Sequence, residues 1–247
     1  MTNTRRRKGR RMTQGVLLGV IFLAGAADLY AIKRKPSLEA SDHPEVVLIT
    51  ARSSKSSEVG KSSGALIAPN AVLTAAHGLD RFDTWEVTAP YAKNGPARSR
   101  SKTARVHPEF KPGTSECDLA LLVLTDPIDL GGKYPTLHDG DLYPLDTRLL
   151  VVGRVQNGSV SNTQLFKAPV TLVKFPGNTN LYGGWPHVVE QGDSGGPLFV
   201  HGKEQEIAAL VSGHLGPSRG HVQTDCFIPV SRRNKAWILR QVPALDK

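Results

Sequence analysis

Short runs rich in Val, Ile, Leu and Thr recur along the chain and are separated by Gly, Pro, Asn or Asp. Runs of this length and composition favour β-strands, and the residues between them favour turns. Many short strands at such spacing are typical of an all-β sandwich or barrel. The predicted strands include 64–68, 71–75, 85–89, 119–124, 148–153, 165–173, 197–200 and 207–212.

Helical periodicity is convincing only near the C-terminus. Ser231 can cap a helix from Arg232 to Val242, and Pro243 would end it. With 247 residues, the chain can form one large all-β unit or two small barrels around one cleft.

The excess positive charge is confined to the N-terminus. The formal net charge is +9, but residues 1–35 hold nine Lys and Arg and one acid, which leaves 22 basic and 21 acidic residues elsewhere. The rest of the chain therefore has no excess charge to attract phosphate, and we expect no nucleic-acid partner.

The N-terminus has the pattern of an export signal. A basic head ending at Arg11 precedes the apolar run from Val16 to Ala27. This run suits the core of a signal peptide, whereas a membrane span needs about 20 residues. We therefore expect residues 1–26 to be a signal peptide, and an uncleaved N-terminal membrane anchor is the alternative.

The segment after this signal is polar. Residues 27–43 show no periodic apolar pattern and predict a linker or short propeptide, so the folded domain is placed at 44–247. Export implies a secreted or periplasmic protein. An uncleaved anchor would instead hold the domain at a membrane, facing outside the cytoplasm.

The most distinctive turn is the sequence Gln-Gly-Asp-Ser-Gly-Gly-Pro at residues 191–197, which lies between two apolar runs. Its glycines allow a tight fold in which successive N–H groups form a concavity that can bind an anion. Ser194 at the tip is a candidate nucleophile, because attack by its hydroxyl on a carbonyl group would create an oxyanion beside these N–H groups.

A serine nucleophile needs a base, and two further segments supply candidates. Thr74-Ala75-Ala76-His77 ends one predicted strand, and Asp118 stands at the head of another. Each motif alone is more often structural, but the order His77, Asp118, Ser194 is one of the known orders of a Ser-His-Asp triad.

Together the three segments resemble the chymotrypsin/trypsin family of serine endopeptidases, in the manner of a bacterial-type secreted member. The resemblance extends from about residue 44 to the C-terminus. It implies two six-stranded antiparallel Greek-key barrels with a C-terminal helix, with His77 and Asp118 on the first barrel and Ser194 on the second. The active site would then lie between the barrels.

The resemblance also implies roles. His77 would take the proton of Ser194, Asp118 would orient and stabilise the imidazole, and the N–H groups of Gly192 and Ser194 would bind the oxyanion. Ser212 matches a serine beside the aspartate, on the strand along which substrate pairs. These roles describe an exported serine endopeptidase that acts as a monomer on protein or peptide substrates, without metal or cofactor. A catalytically silent binding or regulatory protein with the same fold is the alternative.

Activation is one departure from the family pattern. In trypsin-like proteases a newly cut N-terminal ammonium pairs with the aspartate before the catalytic serine, here Asp193. The first predicted strand, Glu45–Ile49, lacks the start sequence of that mechanism. Asp193 therefore needs another cation, for which Arg154 is a candidate, although a solvated arginine is its more common role.

The cysteines are a second departure. Ser62 and Gly78 occupy the positions of a disulfide that animal members carry beside the histidine, and Glu190 replaces a cysteine of the specificity-pocket wall. The chain has two cysteines, Cys117 and Cys226. In the family fold these positions lie near each other, so the resemblance implies a possible Cys117–Cys226 disulfide.

The substrate pocket is the least determined part of the site. Val188 takes the place of the pocket aspartate of trypsin-like members, which favours small or medium apolar side chains over Lys and Arg. His214, together with His221, could instead line the pocket and favour acidic side chains when charged.

Overall fold

The computed structural model describes residues 38–132, 134–139, 143–144, 146–173, 180–183, 188–215 and 224–242. These ranges contain seventeen strands and one helix. In chain order they are β1 (Leu38–Glu39), β2 (Val46–Arg52), β3 (Val59–Ala68), β4 (Ala71–Thr74), β5 (Thr84–Ala89), β6 (Ala97–Ser101), β7 (Thr103–Val106), β8 (Ala120–Val123), β9 (Thr136–Leu137), β10 (Arg148–Gly153), β11 (Val155–Gln156), β12 (Ser159–Val160), β13 (Phe166–Val173), β14 (Leu181–Gly183), β15 (Pro197–Val200), β16 (Lys203–Leu215), β17 (Thr224–Pro229) and α1 (Arg232–Gln241).

The first sheet is an antiparallel barrel. Its strand order is β6-β5-β2-β3-β4-β8-β7. The two end strands, β6 and β7, follow each other in the chain and are separated only by Lys102, so the sheet curls until its ends meet. With β6 and β7 taken as one interrupted strand, this is the six-stranded barrel that the sequence predicts.

The second sheet also closes on itself. Its order is β1-β13-β10-β15-β16-β17-β14, and an additional β13–β14 pairing joins six of these strands into a ring. Strand β1 lies outside the ring on β13, β9 runs parallel beside β16, and β11 and β12 form a separate hairpin. The predicted fold of two barrels with a C-terminal helix is therefore confirmed.

Apolar clusters fill each barrel and the seam between the two barrels. Strand β2 contributes to two of them, because Val47 and Ile49 belong to the cluster of the first barrel whereas Val46 and Leu48 belong to the seam. Successive side chains of a strand point to opposite faces. Both faces of β2 are buried from Val46 to Ile49, so this part of its sequence is a continuous apolar run, and each such side chain contributes about 1.5–3 kcal/mol by leaving water.

Helix α1 agrees with its prediction to within one residue. The Ser231 side chain accepts a hydrogen bond from the N–H of Asn234, and Val242 is the residue that caps the other end. Trp237 and Ile238 are buried in the seam cluster. The helix therefore packs against the junction of the barrels.

Residues 38–43, which the sequence analysis assigns to the linker, pack against the second barrel. Strand β1 pairs with β13, and both Ala40 and His43 are buried. A two-residue strand has no alternation by which the sequence could show it. The predicted signal peptide, residues 1–26, lies outside the described residues. Within the described ranges, no helix is long and apolar enough to cross a bilayer.

Candidate active site

Strand pairing brings His77 and Asp118 together. Thr74 at the end of β4 pairs with Ala120 at the start of β8, so in this antiparallel ladder the segment after Thr74 lies beside the segment before Ala120. His77 Nδ1 is 2.6 Å from Asp118 Oδ2, and the backbone N–H of His77 donates to Asp118 Oδ1 at 2.8 Å. Asp118 is fully buried, whereas 39% of the His77 side chain is exposed. The imidazole is thus fixed on one edge and accessible on the other.

Ser194 approaches the same point from the second barrel. It lies in the turn that leads into β15, which pairs with β10 and β16. The Ser194 hydroxyl oxygen is 3.0 Å from His77 Nε2. The imidazole therefore stands between the carboxylate and the hydroxyl, which is the arrangement in which one ring nitrogen can accept the hydroxyl proton while the other donates to the carboxylate.

The environment of His77 favours its protonated form. Burial lowers the pKa of the imidazole, but the hydrogen bond and the negative charge of Asp118 raise it, and the net direction is upward from the usual value. Ser212 adds a third hydrogen bond to the aspartate, because its hydroxyl donates to Asp118 Oδ2 at 2.6 Å. Ser212 thus helps to hold the carboxylate in the orientation that His77 requires.

Asp193 anchors the turn that carries Ser194. Its carboxylate is fully buried and accepts the N–H groups of Val155 at 2.9 Å and Glu190 at 3.0 Å, with a further backbone hydrogen bond from Arg154. Burial raises the pKa of Asp193 to about 7, although these N–H groups favour the charged form. A Cβ atom at Gly153 would lie 2.2 Å from Asp193 Oδ1, so the close approach of this carboxylate requires a glycine there.

Arg154 differs from its prediction in two respects. Its side chain is buried, with 1% exposed, so it is not a solvated arginine. Its guanidinium donates to backbone carbonyls of Ile49, Ser62 and Ser161 and to the side chain of Asn162, at 2.8 to 3.2 Å. Burial lowers the pKa of Arg154 to about 10, and the charge of Asp193 opposes this shift. Arg154 therefore acts on Asp193 through its charge, while backbone N–H groups make the direct contacts.

The turn leaves two backbone donors available beside Ser194. The N–H of Asp193 donates to Glu190 O and that of Gly195 to Val211 O. Gly192 precedes Asp193, and Ser194 lies between Asp193 and Gly195. The N–H groups of Gly192 and Ser194 have no acceptor among the residues that the structure describes. Gly192 has a φ of +116°, a left-handed conformation that glycine adopts without strain. Two free donors beside a candidate nucleophile are what an oxyanion site requires.

The predicted pocket residues lie in the second barrel, and one important neighbour was missed. Val188 is 5% exposed, and its N–H donates to Asp225 Oδ2 at 2.7 Å. Asp225 is fully buried in β17 and also accepts the N–H of Val189. An acid within the otherwise apolar run of β17 was the signal that could have indicated it. His214 is exposed at the end of β16, and His221 lies outside the described residues.

The cysteines correct another prediction. Cys117 and Cys226 are both free thiols, so the Cys117–Cys226 disulfide is absent. The Cys226 thiol is buried and accepts the side-chain N–H of Asn180 at 3.6 Å, whereas the Cys117 thiol lies 4.0 Å from Glu109 Oε2. Burial raises the pKa of both thiols, which disfavours the thiolates that form disulfides. Within the described ranges, no group of three or more His, Cys, Asp and Glu could hold a metal ion.

Comparison with known proteins identifies the family of this chain. The profile of the Trypsin family matches residues 39–238. The chain belongs to the trypsin family. A search of curated proteins found no match.

Three solved structures have a similar fold. HL collagenase has 19% sequence identity and a TM-score of 0.67, and the alignment covers 84% of this chain and 96% of that chain. A scabies mite inactivated protease paralogue, S-I1, has 18% identity and a TM-score of 0.67 over 84% and 98% of the two chains. GrC has 17% identity and a TM-score of 0.69 over 84% and 97%. At these identities the likeness shows the trypsin-family fold alone.

Proposed function

We propose that the chain is an exported serine endopeptidase that hydrolyses peptide bonds through an acyl-enzyme on Ser194. The observation that carries this proposal is the 3.0 Å contact between Ser194 Oγ and His77 Nε2, with Asp118 on the opposite edge of the ring. The trypsin-family profile supports a serine peptidase in general. The intact set of three side chains supports an active member of the family.

The proposed chemistry assigns each group one task. His77 takes the hydroxyl proton as Ser194 attacks the scissile carbonyl, and then gives that proton to the leaving amine. Water, activated by the same imidazole, releases the acyl group. Asp118 holds the imidazole with its Nε2 free to accept and stabilises the charged ring. The N–H groups of Gly192 and Ser194 bind the oxyanion, and each donor is worth roughly 2.7–4 kcal/mol in comparable sites.

The proposed substrate is a protein or peptide with a small or medium apolar side chain before the scissile bond. Val188 is an apolar residue at the predicted position of the pocket floor. The Asp225 carboxylate accepts hydrogen bonds from the N–H groups of Val188 and Val189. Peptides that differ only in this residue, with Val, Arg or Glu, test the preference. Fastest cleavage of the Arg peptide would indicate that the charge of Asp225 acts in the pocket. Fastest cleavage of the Glu peptide would support the alternative in which His214 and His221 line the pocket.

Secretion or periplasmic location completes the proposal, with a membrane anchor as the alternative if residues 1–26 are not removed. Sequencing the N-terminus of the protein recovered from the producing cells distinguishes the two. A mature chain that starts after Ala26 supports export in soluble form. A chain that retains the apolar run and sediments with membranes supports the anchor.

Labelling with a fluorophosphonate probe tests the proposed chemistry. Wild-type protein and the control Ser159→Ala, which removes an exposed hydroxyl outside the site, should be labelled at equal rates. Ser194→Ala should not be labelled, and His77→Ala should be labelled far more slowly. Absence of labelling in folded wild-type protein would instead support the silent binding or regulatory protein.

A further inference from the structure

A buried serine of the first barrel donates two hydrogen bonds to the turn that contains Ser194. Ser63 lies in β3 and is fully buried. Its backbone N–H donates to the carbonyl of Ser194 at 2.8 Å, and its hydroxyl donates to the carbonyl of Gly192 at 3.0 Å. One residue of the first barrel therefore binds the carbonyl groups of both residues whose N–H groups are the candidate oxyanion donors.

The hydroxyl contact fixes a peptide plane. The carbonyl of Gly192 and the N–H of Asp193 belong to the same peptide unit, and that N–H donates to Glu190 O at 3.0 Å. Hydrogen bonds on opposite sides thus define the rotation of this plane. It lies between the two peptide units that carry the N–H groups of Gly192 and Ser194, so its rotation would change the angle between those donors.

Without the hydroxyl, the hydrogen bond from the Asp193 N–H to Glu190 O would be the one remaining hydrogen bond described for this peptide unit. Gly192 has no Cβ and has a positive φ, so its backbone torsions are less restricted than those of any other residue type. The carbonyl of Gly192 would also lose its Ser63 partner in a buried environment, where an unpaired acceptor is unfavourable. Both effects lower the free-energy cost of rotating this plane away from its present orientation.

Ser63 is itself held rigidly. Thr74, which is fully buried, donates its hydroxyl to the carbonyl of Ser63 at 2.8 Å. The turn packs closely on this pair, because a Cβ at Gly195 would lie 2.1 Å from Thr74 Oγ1 and 2.5 Å from Ser63 O. Thr74 also begins the segment that leads to His77, so the first barrel supports the candidate base and the oxyanion turn from adjoining strands.

We propose that Ser63 is a positioning residue that keeps the Gly192 and Ser194 N–H groups convergent through its hydroxyl hydrogen bond to Gly192. This inference rests on the proposed peptidase function. Ser63 touches no reacting atom and acts only through the conformation of the turn. The bond is made by the side chain, so a single substitution removes it and leaves the backbone contact to Ser194 in place.

The test compares two neighbouring hydroxyl deletions. Ser63→Ala removes the proposed bond, whereas Ser62→Ala removes a buried hydroxyl that has no partner among the described residues. We expect Ser63→Ala to lower kcat about 10- to 100-fold, somewhat less than loss of a whole oxyanion donor, with KM within about twofold. Ser62→Ala should retain wild-type kcat, and Ser63→Thr, which keeps the hydroxyl, should recover most of the activity.

A second measurement separates positioning from folding. The ratio of inhibition constants for a peptide aldehyde and its matching alcohol reports the oxyanion site, because only the aldehyde forms a tetrahedral adduct. This ratio does not depend on how much protein is folded, and Ser63→Ala should reduce the aldehyde preference about 10- to 100-fold.

Two results would overturn the inference. In the first, wild-type protein turns over substrate, but Ser63→Ala has the same kcat and the same ratio of inhibition constants as Ser62→Ala. In the second, Ser63→Ala raises KM but leaves kcat unchanged. An inactive wild-type protein would contradict the proposed function itself, and the role of Ser63 would fall with it.

Discussion

A disulfide introduced between positions 62 and 78 should stabilise the protein and leave the fold unchanged. A Cβ at Gly78 would lie 3.5 Å from Ser62 Cβ, which is within the usual range for Cβ atoms of a disulfide. Ser62 also has a buried hydroxyl with no described partner, so its replacement by cysteine sacrifices no hydrogen bond among the described residues. The double variant Ser62→Cys/Gly78→Cys therefore places two thiols at bonding distance in a segment beside His77.

The size of the effect follows from the loop that the bond would close. Positions 62 and 78 are ~16 residues apart, for which the loss of chain entropy in the unfolded state corresponds to about 3 kcal/mol. For a chain of this size each kcal/mol raises Tm by about 2–4 °C, so the bridged form should melt about 6–12 °C above the reduced form.

The assay is thermal unfolding of the same double variant with and without reductant, together with thiol counting in denaturant. The oxidised protein should show only the two native thiols, Cys117 and Cys226, and the single variants should show no reductant effect on Tm. Four free thiols after oxidation would refute the nearness of positions 62 and 78. So would Tm values of the double variant with and without reductant that lie within about 2 °C of each other.

Three further predictions follow from the site. The rate of hydrolysis should decrease as the pH falls through the raised pKa of His77, because the protonated imidazole cannot accept the Ser194 proton. In the Asp118→Asn variant this decrease should occur at lower pH, and kcat should be reduced about 10⁴-fold. Gly195→Ala should abolish probe labelling and lower Tm, since its Cβ would lie 2.1 Å from Thr74 Oγ1 at a φ of +80°, whereas Gly158→Ala, also at positive φ but with open space around its Cβ, should affect Tm alone. Alkylation of unfolded protein should give the same mass with and without reductant, and a mass difference would show that the two cysteines are bonded.

The fold, and the segments that bring His77, Asp118 and Ser194 together, could be predicted because their signals are local. The turn around Ser194 needs small residues at successive positions, and His77 and Asp118 stand at the ends of strands whose composition identifies them. Helix α1 likewise had its cap within its own sequence. Features of this kind depend on neighbouring residues in the chain, so a pattern of residue types is sufficient to indicate them.

The remaining features depend on contacts between distant segments. Arg154 is buried because carbonyls from β2 and β3 surround its guanidinium, and Asp225 is buried because the N–H groups of Val188 and Val189 approach it. The Cys117–Cys226 prediction was wrong because nearness of two backbones does not determine the partners of their thiols. Asn180, which lies far from Cys117 in the chain, binds the Cys226 thiol.

Detection of the acyl-enzyme tests the central claim most directly. Wild-type protein would be mixed with an activated ester, quenched in acid during the first turnover and analysed by peptide mapping and mass spectrometry. We expect one acyl group on the peptide that contains Ser194, formed more slowly in His77→Ala and Asp118→Asn. An acyl group on another residue, or ester hydrolysis by folded protein without any adduct, would contradict it.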